Sequence, residues 1–505
     1  MSEPFAYDAV EYPSAGIPRM HPSHLFAVAR LFGCRPAPVG RCRYLEYGCG
    51  DGTHLIGCAM GLPEATFVGV DLSVEAIARG NTLIAELGVT NVSLHAADAT
   101  VWTPPAGGFD FACAHGLYSW VPPFVRDAVL AGMHTALTPD GVGYVSYNTY
   151  PGCYVRRMVW EILKQHTAHT ADPSAKLREA GDLLRFLLAG QPAERKPAVQ
   201  AFAHEMTQLL DDWQPGTLYH DDLGEVNDPV YFRQFAEHAG RFGLRFVAEA
   251  EQVMMNTELF PSAVTGVLDG MADRDVLLKE QYFDYLKLRR FRHTVLAKDG
   301  RPPIARPDPA AVADLLVSGL DLIAEAQPEA DEMTFRRTGS AVRVAHPLVK
   351  AALLTVAEGG PRRVTFDELA TAIAARLGQP MLSDDDRTRV CELLAEAWMG
   401  GMVDLNGHRP WYFDAVSERP TACPFARARA PVADVVNSRL FTPLNAREPT
   451  VRGLLALLDG TRTADEIAAA WGASYPPETR PAAEVLRGRL DNYLGQMARN
   501  GMLVG

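Results

Sequence analysis

The chain lacks the features that mark a membrane or extracellular protein. Its 505 residues contain no apolar run of roughly 18 residues, and its first residues do not form the apolar segment of a secretory leader. The eight cysteines form no CxxC pair and have no histidines at zinc-binding spacing, so neither a disulfide framework nor a zinc site is expected. We therefore predict a cytoplasmic protein with reduced thiols, no membrane insertion and no metal.

An excess of basic charge is also missing. The chain has 48 Lys and Arg residues against 61 Asp and Glu residues, a net charge of −13. A dedicated nucleic-acid binder usually carries a basic domain, so no nucleic-acid partner is expected. With 48% hydrophobic and 22% charged residues, the composition is that of a globular protein, long enough for about three domains.

Short apolar runs alternate with helical stretches in the first part of the chain. The pattern predicts strands at 43–47, 66–71, 92–97, 109–114 and 141–148, with helices near 52–61, 73–87 and 122–137. Strands that alternate with helices form βαβ units around a parallel sheet, and ligands bind such sheets at the carboxyl ends of the strands. We predict an α/β, Rossmann-like catalytic domain with an N-terminal lid over residues 1–165.

The remainder of the chain has mostly helical periodicity. Helices predicted at 155–166, 175–188, 193–210 and 280–292 indicate a mostly helical middle domain over 166–345. Residues 346–505 contain two similar units, whose second helices begin at Thr365 and Thr463. This layout predicts a tandem winged-helix-like C-terminal region. Because the region is about neutral, packing against protein is favoured over DNA binding.

The strongest local signal is a glycine-rich loop after the first predicted strand. Residues 46–53 read EYGCGDGT, with glycines at Gly48, Gly50 and Gly52. A dinucleotide fingerprint would need a glycine where Thr53 stands. Glycines let the backbone pass close to a ligand, and the carboxylate of Glu46 can take up the amino group of an amino-acid moiety.

Two further carboxylates follow at the ends of the next two strands. Asp71 can accept hydrogen bonds from both hydroxyls of a ribose, and Asp98 can take an adenine amino group. Either acid alone could instead cap a helix or a turn. Their order at successive strand ends, together with the glycine loop, favours S-adenosylmethionine as the cofactor.

Aromatic side chains and a histidine follow the fourth and fifth strands. The loop HGLYSWVP provides His115, Tyr118 and Trp120, and Tyr147 lies at the end of the fifth strand. Freeing the lone pair of a lysine at pH 7 costs about 4.6 kcal/mol, and a dry aromatic pocket lowers that amine's pKa. We predict these four residues as the catalytic pocket, with packing in the core or a lid as the alternative.

The glycine loop and the two acids resemble those of class I S-adenosylmethionine-dependent methyltransferases. With its loop neighbours, the cofactor-binding set that this implies is Glu46, Gly48, Cys49, Gly50, Gly52, Asp71, Leu72, Asp98, Ala99 and His115. The segments YDAVEYPSAGIPRMHP, HGLYSWVP and EQYFDYLKLRRFRHT are similar to bacterial methyltransferases with a methyltransferase regulatory domain. Among these they resemble the rickettsial protein-lysine methyltransferases that act on an outer-membrane protein, over about residues 1–300. The sequence departs from that pattern at Asp221 and Asp222.

The resemblance implies protein-lysine N-methylation by direct SN2 transfer, with a lysine-bearing protein as substrate. Two alternatives stay open: a methyltransferase for a small metabolite or natural product, and a non-catalytic sensor of S-adenosylmethionine. A homodimer is also considered. The methyl acceptor and the number of methyl groups added are not determined by the sequence.

Overall fold

The computed structural model describes residues 8–105, 108–192, 196–258, 260–298, 300–326, 331–475 and 478–505. Its central element is a seven-stranded sheet built from β1 Arg43–Tyr47, β2 Thr66–Asp71, β3 Val92–Ala96, β4 Phe109–Ala114, β5 Leu137–Asn148, β6 Arg245–Glu249 and β7 Phe291–Ala297. The strand order is β3-β2-β1-β4-β5-β7-β6, and β7 runs antiparallel to the other six strands, which are parallel to one another. This arrangement confirms the predicted Rossmann-like α/β fold.

Helices cover both faces of this sheet and extend into the middle of the chain. They are α1 Pro22–Leu31, α2 Thr53–Gly61, α3 Val74–Leu87, α4 Pro123–Ala136, α5 Cys153–His166, α6 Pro173–Ala189, α7 Pro197–Asp211, α8 Pro215–Thr217, α9 Phe232–Arg241, α10 Ser262–Ala272 and α11 Val276–Lys287. Positions 193–195 of one predicted helix lie outside the described residues. None of the described helices is both long and apolar enough to cross a membrane.

Two strands of the sheet come from the segment that the sequence indicated as mostly helical. Helix α11 ends at Lys287 rather than at the predicted residue 292, because Leu288 adopts a left-handed backbone conformation with φ of 46°. The following segment pairs along β5, from Asn148 with Phe291 to Val142 with Ala297. The helical spacing of apolar residues in EQYFDYLKLRR does not indicate this turn. The domain boundaries stay a prediction.

The last part of the chain contains short strands, two three-helix units and one short helix between these units. The strands are β8 Leu316–Ser318, β9 Ile323–Ala326, β10 Met333–Arg337, β11 Ser340–Val344, β12 Val364–Thr365, β13 Asp404–Asn406, β14 Val435–Asn437 and β15 Pro443–Asn445. The helices are α12 Pro347–Gly359, α13 Phe366–Arg376, α14 Asp384–Met399, α15 Pro424–Arg429, α16 Pro449–Leu457, α17 Ala464–Ala473 and α18 Ala483–Arg499. Capping boxes at Thr365 and Thr463 start α13 and α17. The winged-helix assignment stays a prediction.

The two faces of the central sheet belong to different hydrophobic cores. One face, with Tyr44 and Phe111, is continuous with a cluster that reaches Phe441 and Trp471 in the C-terminal region. The other face packs against α4 and α9. All eight cysteines are buried, and none forms a disulfide within the described residues. The C-terminal region is therefore packed directly against the catalytic sheet.

Candidate functional site

The glycine loop connects β1 to α2 at the carboxyl edge of the sheet. Gly48, Gly50 and Gly52 have φ values of 70°, 56° and 70°, which L side chains rarely adopt. A side chain on Gly52 would also meet Leu94, since a Cβ there lies 2.7 Å from that side chain. The backbone N–H of Gly50 donates to Asp71 across the loop at 2.8 Å. This segment therefore forms a tight glycine-rich loop at the carboxyl ends of the strands, as predicted.

The carboxylate of Glu46 is buried below this loop with one oxygen unused. Its side chain is 5% exposed, and within the described residues Oε2 has no hydrogen-bond partner. Burial, with the nearby carboxylates of Asp71 and Asp51, raises the pKa of Glu46 from 4.5 to about 8. A buried acceptor with no donor costs free energy. The ammonium group of a bound methionine moiety would satisfy it, so Glu46 fits S-adenosylmethionine.

The two predicted acids at the next strand ends differ in their surroundings. Asp71 accepts hydrogen bonds from the backbone N–H groups of Gly50 and Ser73 at 2.8 and 2.9 Å, and burial raises its pKa. Asp98 is exposed and accepts from both the backbone and the hydroxyl of Thr100 at 2.8 Å. Both acids thus have the capping contacts of the structural alternative, and both still lie at the edge predicted for ribose and adenine.

Three predicted neighbours of these residues surround the same edge. Cys49 is buried inside the glycine loop, whereas Leu72 is 49% exposed directly after β2. Ala99 is half-buried beside Asp98. Of the ten predicted cofactor residues, Glu46 and Asp71 therefore lie at the ends of β1 and β2, and the other eight lie on the loops that follow β1 to β4. Their contacts with the cofactor stay a prediction.

The C-terminal region holds the loop and the lead-in segment from outside the sheet. Arg429 forms an ion pair with Asp51 of the glycine loop at 3.2 Å. The side chain of Asn437 accepts a hydrogen bond from the N–H of Gly16 at 2.9 Å and donates to its carbonyl at 3.1 Å. These contacts could not be predicted from the sequence, because more than 370 positions separate the partners in each case.

His115 directly follows β4, where the acceptor pocket is predicted, and belongs to a cluster of five rings. We call His115, Trp120, Tyr144, Phe291 and His293 the ring cluster. Nδ1 of His115 lies 3.0 Å from the Tyr144 hydroxyl, which lies 2.6 Å from Nδ1 of His293. Burial lowers the pKa of His115 to about 4 and that of His293 to about 2, so both imidazoles are neutral at pH 7.

Trp120 and Phe291 form the outer part of the ring cluster. Their ring centroids are 6.3 Å apart, and Phe291 lies 6.0 Å from the ring of His115. All three side chains are half-buried. In the described part of the chain, the buried indole N–H of Trp120 has no hydrogen-bond acceptor. A polar donor therefore lies unsatisfied beside neutral aromatic surface.

Tyr118 and Tyr147, which we expected in the acceptor pocket, lie in the core on the other face of the sheet. Tyr147 is completely buried, stacks on Phe235 with centroids 4.0 Å apart, and bonds Thr294 at 3.0 Å. The Tyr118 hydroxyl lies 2.7 Å from Nδ1 of His238. Both residues have the contacts of the packing alternative, and alternation along β5 directs Tyr147 away from the face of Tyr144. Their place in the acceptor pocket stays a prediction.

Tyr144, Phe291 and His293 are not among the site residues predicted from the sequence. The sequence places Tyr144 in a buried strand and Phe291 in the helix predicted over 280–292, and His293 follows that helix directly. The period of two along a strand could have placed Tyr144 on the face opposite Tyr147. The contribution of β7 could not be found in this way, since Tyr144 and His293 are 149 positions apart.

Asp221 and Asp222, where the sequence departs from the family pattern, have structural contacts of their own. Asp222 is buried and accepts two hydrogen bonds from Arg156, at 2.8 and 3.0 Å. Asp221 accepts from the Tyr12 hydroxyl at 3.4 Å, and burial raises its pKa to about 7. These acids fix the lead-in segment and α5 to the middle of the chain.

The fold and the loop place the chain among class I methyltransferases, and two family models match it. Residues 45–141 match a methyltransferase domain, and residues 214–298 match a predicted methyltransferase regulatory domain. The chain is 32% identical over 234 residues to the protein RP028 of Rickettsia prowazekii, a match that covers 46% of this chain and 93% of RP028. The chain therefore belongs to the family of S-adenosylmethionine-dependent methyltransferases with a methyltransferase regulatory domain, and S-adenosylmethionine is its cofactor.

A longer relative and a solved structure extend the similarity. The protein RP789 of the same organism is 32% identical over 290 residues, which cover 57% of this chain and 52% of RP789. The chain thus spans about half the length of that relative. The structure of PKMT2 from Rickettsia typhi in complex with AdoHcy has a TM-score of 0.84 at 24% identity, and the alignment covers 98% of this chain and all of PKMT2. This likeness shows that the fold extends over the whole chain.

Proposed function

We propose that the protein methylates lysine side chains of a protein substrate. The observation that carries the proposal is the ring cluster at the end of β4, where half-buried aromatic rings and two neutral imidazoles adjoin the glycine loop. Leu117, two residues after His115, packs against Gly48, since a Cβ on that glycine would lie 3.2 Å from it. S-adenosylmethionine supplies an electrophilic methyl group in this family.

The ring cluster has the properties that an amine acceptor needs. An ammonium ion has no free lone pair, and low-polarity surroundings favour the neutral amine. The neutral imidazoles of His115 and His293 add no positive charge that would repel it. The faces of Trp120 and Phe291 can accommodate a methylated ammonium by cation–π attraction. The cluster would therefore bind the amine before transfer and tolerate the charged product.

An exposed aromatic surface beside the ring cluster supports a polypeptide acceptor over a small metabolite. Its inner member, Tyr150, is buried and lies two residues after Asn148, whose partner across the strands is Phe291. We call Tyr150, Tyr154, Tyr231, Tyr282 and Tyr285 the tyrosine surface. Neighbouring rings in it lie 4.3 to 6.4 Å apart. Tyr154 is 50% exposed and Tyr285 46% exposed. Contiguous exposed aromatic side chains are typical of protein-binding surfaces.

The test is incubation of the full chain with radiolabelled S-adenosylmethionine and bacterial lysate, followed by separation by size with and without protease. We expect label in large, protease-sensitive material, recovered as methyl-lysine after hydrolysis. Label confined to small molecules, or label released by nuclease, would refute protein-lysine methylation. Donor binding without transfer to any fraction would favour the sensor alternative.

A matched pair of variants connects the label to the ring cluster. Trp120→Ala removes the outer wall and should lower turnover at least tenfold while donor affinity stays nearly unchanged, because loss of positioning of the reacting groups slows transfer. Phe124→Ala is the control, since Phe124 is 64% exposed on α4, two residues after the same loop. Equal turnover in both variants would remove Trp120 from the acceptor pocket.

A further inference from the structure

One tyrosine hydroxyl lies between two imidazoles at the center of the ring cluster. Tyr144 Oη is 3.0 Å from Nδ1 of His115 and 2.6 Å from Nδ1 of His293. Tyr144 is completely buried, and burial raises its pKa well above the usual value, so the hydroxyl keeps its proton. Both imidazoles are neutral at pH 7, as described above.

The single proton of the Tyr144 hydroxyl constrains the two histidines to opposite tautomers. The hydroxyl has one hydrogen and can donate it to only one Nδ1 atom. The other Nδ1 must then carry a proton and donate to Oη, because two facing lone pairs would repel. One imidazole therefore carries its proton on Nδ1 and the other on Nε2.

The two distances indicate which of the two histidines carries its proton on Nδ1. Bonds donated by a hydroxyl are shorter than bonds donated by N–H, near 2.7 Å against about 2.9–3.0 Å. The contact of 2.6 Å therefore fits donation by Tyr144 to His293, and the contact of 3.0 Å fits donation by Nδ1–H of His115 to Tyr144. In this arrangement Nε2 of His115 carries a lone pair.

We infer that Tyr144 and His293 are positioning residues that hold the proton of His115 on Nδ1, so that its Nε2 accepts an N–H hydrogen bond from the acceptor amine. The amine contact rests on the proposed function, whereas the proton placement does not. Because His115 accepts a hydrogen bond from one N–H of the amine, the nitrogen is held with its lone pair free and directed at the methyl group of the donor. His293 lies on β7, inside the segment that matches the regulatory domain. That segment therefore acts on the acceptor site through the tautomer of His115.

Two substitutions at His293 separate this role from packing. His293→Asn places Oδ1 where Nδ1 stood and still accepts the Tyr144 proton. His293→Leu removes the acceptor, so the Tyr144 hydroxyl turns to donate to Nδ1 of His115 and moves the imidazole proton to Nε2. The backbone N–H of His293, which donates to Glu249 at 3.0 Å, is kept in both variants.

The experiment is ¹⁵N NMR of the full chain with labelled histidine, with His115→Gln used to assign the His115 signals. We expect the proton on Nδ1 in the wild type and in His293→Asn, and on Nε2 in His293→Leu. Turnover should fall roughly tenfold to a hundredfold in His293→Leu, as for the loss of one hydrogen bond at the reacting group, and recover in His293→Asn. Circular dichroism and donor affinity check that both variants fold.

The outcomes distinguish the inference from the proposed function. A wild-type protein with the His115 proton on Nε2 would overturn the proton placement. Equal losses of turnover in the two folded variants would overturn the positioning role. The inferred tautomer in a protein that methylates no amine would instead refute the amine contact together with the proposed function.

Discussion

Replacing Glu46 with glutamine tests how this family site binds its donor. Glutamine keeps the shape of the side chain and removes the charge. Glu46 is buried with Oε2 unpartnered, and its pKa is raised from 4.5 to about 8 by burial and by the carboxylates of Asp71 and Asp51. In the protein without donor we therefore expect a protonated Glu46 at pH 7.

The sign of the effect follows from proton linkage. Between about pH 5 and pH 8 the folded protein holds a proton that the unfolded chain has released, so stability falls as pH rises, by about 1.4 kcal/mol per pH unit. At pH 7 the loss amounts to about 3 kcal/mol. The glutamine in Glu46→Gln does not titrate, so this variant does not lose this stability as the pH rises. Its melting temperature without donor should match the wild type near pH 5 and exceed it increasingly up to pH 8.

Donor binding should reverse the ranking of the two proteins. An ammonium group beside Glu46 favours the carboxylate, so binding at pH 7 should release about 0.9 proton from the wild type and none from Glu46→Gln. Loss of the charged partner should weaken binding by about 2 kcal/mol, roughly thirtyfold in Kd. Calorimetry with S-adenosylhomocysteine in buffers of different ionisation enthalpy measures both quantities. Equal proton release by both proteins would refute the placement of the ammonium at Glu46.

Three further substitutions test the packing around the site. Asn437→Ala leaves two buried backbone groups of Gly16 without partners and should lower the free energy of unfolding by about 2–4 kcal/mol. This loss should be seen as a lower melting temperature and as faster proteolysis near the lead-in segment. Asn445→Ala on the same hairpin is the control and should change neither. Arg292→Met leaves buried carboxylates unpaired and should cost at least about 3 kcal/mol of stability, measured by denaturant unfolding. Tyr118→Phe should lower the melting temperature with turnover unchanged, and a tenfold loss of turnover would return Tyr118 to the acceptor pocket.

The regulatory segment has a direct structural connection to the catalytic site. Strand β7 lies between β5 and β6 in the sheet and carries Phe291 and His293 into the ring cluster. On the other face it carries Arg292, which bonds Glu249 at 2.7 Å in the core. Under the proposed function, this segment would therefore contribute to the acceptor side of the site through Phe291 and His293.

The sequence by itself determined the donor side of this protein. A strand, a glycine loop and a helix follow one another within 20 residues, and the acids Asp71 and Asp98 end the next two strands. These signals are local, because backbone conformation at a glycine and the end of a strand depend on neighbouring residues. Fold class and cofactor could therefore be predicted from residues 43–148, whereas the family also depended on segments outside this range, such as EQYFDYLKLRRFRHT.

Only the tertiary structure decided which residues form the ring cluster. The choice between pocket and core for Tyr118 and Tyr147 depends on which face of β5 each contacts and on what α9 brings against it. The pairing of Tyr144 with His293, and of Asn437 with Gly16, joins residues 149 and 421 positions apart. Such contacts arise from packing free energy summed over the whole chain, and no local pattern of residues records them.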